Sequence, residues 1–194
     1  MNRKRMRTWV IVLVVLALIS GSIVTLVSAL HGTTVDTPIT VLPGVTLTPE
    51  DLNAVGLGTA VDVQYADKTF LFFPDAQGKE LASAKSGLTI TFRNGSVTFL
   101  GGQFSQVGGS ALRDQAYASY KNKVQDTGLS DDRGAAVIGD ASARFADPAA
   151  AALIVRKNET VFTLLYTLNA AADTGSPEPI VALDALARLL AERF

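Results

Sequence analysis

Residues 88–100 read LTITFRNGSVTFL, and their interpretation decides the fold. Asn94-Gly95 is the dipeptide favoured in a type I′ turn, whose two central residues both need positive φ. A two-residue turn there pairs Arg93 with Ser96, Phe92 with Val97 and Ile90 with Phe99. Leu88, Ile90, Phe92, Val97 and Phe99 then share one face, and Thr89, Thr91, Arg93, Ser96 and Thr98 share the other. Turn chemistry and alternation agree, which predicts an antiparallel hairpin with one apolar face. A strand before it is expected at Ala60–Tyr65, at Thr69–Phe73, or at both.

A second hairpin follows from ALIVRKNETVFTLLYTL (152–168). With Asn158-Glu159 as its turn, Val155 pairs with Phe162 and Leu153 with Leu164. Ile154, Val161 and Leu165 make the other face apolar too, as expected of a central pair covered on both sides. Between the hairpins, Leu112, Ala116, Tyr120 and Val124 recur every four residues, predicting a helix that Gly128 ends. A closing helix places Ile180, Leu183, Leu186, Leu190 and Phe194 on one face, with Ser176 and Pro177 as start signals. A short early helix begins with Thr48 as cap, Pro49, Glu50 and Asp51 in its first turn, and stops at Gly56. Strands, helix, strands, helix is the order of an α+β domain with two or three helices packed on an antiparallel sheet.

The first thirty residues differ from this body. Arg3, Lys4, Arg5 and Arg7 give the start a charge of +4, and the other 13 Lys and Arg face all 18 Asp and Glu, leaving the remainder at −5. From Trp9 to Leu30 run 22 residues without a charge. As a helix they would span about 33 Å, against a hydrocarbon core of about 30 Å. A cleaved signal usually has a shorter apolar region, and Trp9 sits where an interfacial aromatic belongs. The reading is a retained anchor over 9–30 with residues 1–8 as a cytoplasmic tail. A signal cleaved after Ala29 is the alternative. Residues 31–48, rich in Thr, Pro and Gly, are expected to form a linker, and 49–194 an extracytoplasmic domain. The expected partners are the bilayer, through 9–30, and another envelope protein or small ligand. A mildly acidic body argues against nucleic acid.

The chain has no cysteine and a single histidine, His31. Thiol chemistry, disulfides, a lipidated cysteine and Cys-held metals are therefore outside its means. His31 reads as a solvated residue beside the membrane boundary. Asp75-Ala-Gln-Gly-Lys-Glu80 lacks the alternating acidic ligands of a calcium loop. GGQFSQVGGS (101–110) has no Lys-Ser/Thr after its glycines, so it reads as a flexible strand-to-helix connection. Asp131, Asp132, Glu178 and Asp184 read as surface carboxylates, Tyr117 and Tyr120 as core aromatics, and Asn94 and Asn158 as turn residues. No catalytic, cofactor-binding or metal-binding residue and no cofactor is assigned.

AVIGDASARF (136–145), LIVRKNETVFTLLYT (153–167), ALDALARLLAERF (182–194) and LTPEDLNAVGLG (47–58) together resemble small exported actinobacterial lipoproteins and sensor-like domains of unknown function. The chain departs from them in lacking the lipidated cysteine and the paired cysteines many carry. The resemblance implies an envelope location and an α+β fold, and no reaction. The expected function is a membrane-anchored extracytoplasmic binding or interaction module of a bacterial envelope, not an enzyme. The alternatives are a small envelope hydrolase using carboxylates or a Ser-Lys pair, and a secreted form of the same fold.

Overall fold

A computed structural model describes residues 34–66, 82–131, 136–169 and 178–194. The expected anchor at 9–30, His31, the strand at Thr69–Phe73, the Asp75–Glu80 loop, Asp132, and Ser176-Pro177 lie outside the described residues. Among those described, no helix is long and apolar enough to cross a membrane.

The fold is α+β and antiparallel throughout. Strands β3 (Ala60–Tyr65), β4 (Ala84–Phe92), β5 (Gly95–Gln103), β6 (Ser130–Asp131), β7 (Ala141–Ala146), β8 (Ala150–Lys157) and β9 (Thr160–Leu168) form one seven-stranded sheet. Its order is β3-β4-β5-β9-β8-β7-β6, so β5 and β9 join two meanders at the centre. Among the described residues three helices accompany it: α1 (Pro49–Ala54), α2 (Gly109–Gln125) and α3 (Pro179–Arg193).

Residues 39–47 are not linker. Ile39–Leu42 (β1) and Val45–Leu47 (β2) form a separate hairpin whose Ile39, Val41, Leu42, Val45 and Leu47 join the main core. The signal was present in the sequence. Leu42 pairs with Val45 across Pro43-Gly44, and Gly44 has φ +81°, as a type II turn requires. Five apolar positions in so short a span can pack only against an existing sheet, which hid them from a purely local reading.

The core has two sides. On one, α3 and the β1–β2 hairpin cover Leu88, Ile90, Phe92, Val97, Phe99, Leu153, Val155, Phe162 and Leu164. Phe162 lies at the centre of this layer, its ring 5.9 Å from that of Phe99 and 5.3 Å from that of Phe194. Ala182, Ala187 and Ala191 are buried on α3 and let its backbone lie close to the sheet. On the other side, α2 packs over β7, β8 and β9, enclosing Ala116, Tyr120, Phe145, Ala152, Ile154 and Val161.

The second hairpin has the expected register, Val155 with Phe162 and Leu153 with Leu164, and Asn158 takes φ +51° in its turn. The first hairpin does not. Phe92 pairs with Gly95 and Ile90 with Val97, so Arg93-Asn94 is the turn, two residues out of the expected register. Neither Asn94 nor Gly95 has positive φ. Because side chains repeat every two residues, this slip leaves each on its predicted face. Contacts with β9 account for the altered turn. Asn169 donates its N–H to Asn94 O (2.9 Å) and its Nδ2 to Arg93 O (3.1 Å). A Cβ on Gly95 would lie 2.4 Å from Thr167 O, so glycine is required there for close strand approach.

The early helix carries a full capping box: Thr48 Oγ1 accepts from Asp51 N (3.2 Å), and Asp51 Oδ2 accepts from Thr48 N (2.7 Å). The closing helix starts at Pro179, two residues later than the Ser176-Pro177 signal.

Candidate functional site

Among the described residues the sheet's two faces are unequally covered by helices, and this asymmetry defines the candidate site. On the α2 side, α2's contacts fall on β7, β8 and β9. The β3–β4–β5 half of that face carries no described helix. Cross-strand register sets its side chains in rows. One row runs Gln64, Thr89, Thr98, Leu165, and the next runs Asp62, Thr91, Ser96, Thr167.

These are the polar partners of the apolar positions that alternation placed in the core, which is why the strands carry hydroxyls here. The hydroxyls bond across strands: Thr89 to Thr98 and Ser96 to Thr167, each at 3.0 Å. Gln64 Nε2 donates to Asp62 Oδ2 at 2.8 Å. A hydroxyl pair uses one of its two protons internally, so each pair retains a donor and lone pairs for a ligand. Thr163 Oγ1, one row further on, is buried and has no hydrogen-bond partner among the described residues. The two rows are mostly polar, with Asp62 as their one charged residue. Its chemistry is that of hydrogen-bonded recognition.

A cavity of about 300 Å³ opens at one end of α2, lined by Phe104, Gln106, Gly108, Gly109, Ser110, Arg113 and Glu159. It contains one carboxylate, one serine and no lysine, so it holds neither a carboxylate pair nor a Ser-Lys pair. Arg113 donates to Asn158 O and to Asp114 Oδ1, and Arg156 donates to the same Asp114 oxygen at 2.8 Å. The Arg113 hydrogen bond, aided by Arg156, holds the Asp114 carboxyl below its usual range. Tyr117 stacks under Arg156 at 5.8 Å, and burial raises its phenol. These contacts tie α2 to the β8–β9 hairpin.

The residues weighed from sequence fall apart accordingly. Gly101 and Gly102 lie within β5 and not in a connection, while Gly108 and Gly109 start α2. Gly109 is set by packing, since a Cβ there would meet Phe104 O at 2.0 Å. Asp131 is at the edge strand β6, and Asp184 pairs with Arg144 and Arg188 on the opposite side of the sheet. Tyr120 is core, and burial pushes its phenol far above the ordinary range. Among the described residues no group of three or more His, Asp or Glu is placed to hold a metal ion. The hydroxyl rows were visible in the sequence as Thr89, Thr91, Ser96 and Thr98. Their completion by Thr167 and Gln64 depends on strand order, which no local pattern reports.

Comparison with protein-family models, with curated proteins and with solved structures finds no match for the chain.

Proposed function

We propose that this protein is a single-pass, extracytoplasmic binding module of a bacterial envelope, anchored through 9–30 and recognising its ligand or partner envelope protein on the hydroxyl face of β3, β4, β5 and β9. The observation that carries the anchored reading is the 22-residue uncharged run Trp9–Leu30 beside four cations. Apolar side chains of that length gain from hydrocarbon, while the cations resist transfer across it and remain on the cytoplasmic side. The resemblance to small exported actinobacterial domains supports the same location. The half-sheet that no described helix covers supports binding: its hydroxyls are recognition groups bonded to one another, and the one carboxylate of the rows, Asp62, accepts from Gln64.

Because the chain has no cysteine, a single introduced one reports topology cleanly. Val107, fully exposed after β5, is the position of choice. In intact cells a membrane-impermeant maleimide labels Val107→Cys, and alkaline carbonate leaves the protein in the membrane pellet. Labelling only after lysis would reverse the topology, and release by carbonate would favour the secreted form. Photo-crosslinkers at Gln64 and Thr91 give a discrete adduct, while one at the exposed Ser119 of α2 gives none. Equal yields from both positions would remove the binding-face assignment.

A further inference from the structure

Where the anchor meets the fold determines which part of the domain lies at the bilayer. Val35 donates its N–H to Ala60 O at 2.9 Å, which ties the start of the described chain to the start of β3. Leu30, the last residue of the uncharged run, is five residues earlier, a reach of at most about 18 Å even if fully extended. Among the described strands β3 is at the edge of the seven-stranded sheet, with β4 its partner. It also carries two of the five large apolar side chains exposed among the described residues, Val61 at 44% and Tyr65 at 59%. Val61 falls at the bulge, where the register shifts between Ala60 and Asp62. Of the devices that blunt an edge strand, β3 has its bulge and Asp62 but neither lysine nor proline.

We infer that the β3 edge rests against the interface of the bilayer that holds the anchor, with Val61 and Tyr65 in contact with lipid. The inference builds on the retained-anchor reading. A tyrosine's apolar ring and polar tip suit the boundary between hydrocarbon and water. The contact is apolar, since no Lys or Arg occurs between residues 34 and 66, and Asp36 and Asp62 give this edge a negative charge. It therefore does not depend on anionic headgroups. The opposite edge of the sheet points away. With β3 laid along the bilayer, distance from it grows strand by strand, so β7, five strands across the sheet, lies roughly 24 Å further out at about 4.8 Å per strand.

The test uses the full chain reconstituted in phosphatidylcholine vesicles, with an environment-sensitive nitrobenzoxadiazole dye on Val61→Cys, Tyr65→Cys or Val137→Cys, the last exposed just before β7. Positions 61 and 65 should emit at shorter wavelength than in detergent and lose most of their emission to lipids spin-labelled near the headgroup. Position 137 should do neither. Adding phosphatidylglycerol should leave the quenching unchanged. Unquenched dye at both 61 and 65 in a protein that resists carbonate would overturn the orientation while sparing the anchor. Release by carbonate would remove the anchor and the orientation together. A Val61→Cys variant that oxidises to a disulfide-linked dimer and escapes quenching would assign the edge to a second copy of the chain and overturn lipid contact.

Discussion

Replacing Gly95 with alanine separates two explanations of one glycine. Were Asn94-Gly95 a type I′ turn, both residues would sit in the left-handed region, where an L side chain costs about 1–2 kcal/mol. Neither does. At an ordinary φ, Gly→Ala stabilises by about 0.4–1 kcal/mol through the unfolded chain. What opposes it here is space: the new Cβ would lie 2.4 Å from Thr167 O and 3.0 Å from Tyr166 Cε2. Gly95 pairs with Leu168 at the end of a nine-residue ladder, so relief requires β9 to shift. Overpacking of this kind costs about 1–3 kcal/mol, leaving a net loss of about 1–2 kcal/mol. For a domain this size that is a fall in Tm of roughly 2–8 °C. Asn94→Ala should stay within about 0.5 kcal/mol, because its backbone oxygen, not its side chain, receives Asn169. Truncating Thr167 should not rescue Gly95→Ala, since the obstructing atom is main-chain. Urea unfolding of the full chain, followed by far-ultraviolet circular dichroism, measures all three variants. Equal losses for Asn94→Ala and Gly95→Ala, or a neutral Gly95→Ala, would refute the close-approach account.

Three further substitutions test other contacts by the same assay. Arg144, 6% exposed, pairs with Asp184 of α3 and donates to Ala136 O, so Arg144→Leu should cost about 1–3 kcal/mol by leaving Ala136 O without its donor and Asp184 with Arg188 alone. The double change Arg144→Leu/Asp184→Leu should recover part of that loss, and a single variant within about 1 kcal/mol of the parent would show the pair to be dispensable. Hydrogen bonding from Arg193, with help from Thr48, lowers Asp51 from 3.8 to about 2. A depressed carboxyl stabilises the fold above its unfolded value, so the advantage over Asp51→Asn should be full above about pH 4 and vanish as pH falls toward 2. A gap that persists unchanged at pH 2 would contradict it. Thr163→Val removes a buried hydroxyl with no partner among the described residues, so it should be neutral or stabilising by about 1 kcal/mol. A loss of stability would reveal a partner for that oxygen.

What the sequence determined by itself was whatever neighbouring residues encode. The capping box at Thr48 and Asp51, the burial of Ala116 and Tyr120 on α2, and the Leu153–Leu164 register of the second hairpin all follow from residues within a few turns or one strand of each other. So do the two faces of the first hairpin, which a two-residue slip cannot exchange. Tertiary structure decided the rest. The pairing of Gly95 with Leu168, 73 positions away, moved the first turn to Arg93-Asn94. The core drew in the 39–47 hairpin, whose Pro43-Gly44 turn was legible but whose apolar side chains had no visible destination. Alternation says that Thr89 and Thr98 face away from the main core, but not that α2 would settle over β7–β9 beside them. The reason is physical: caps, turns and periodicity act through local sterics and hydrogen bonds, whereas strand order and helix placement are set by which distant apolar surfaces bury one another best.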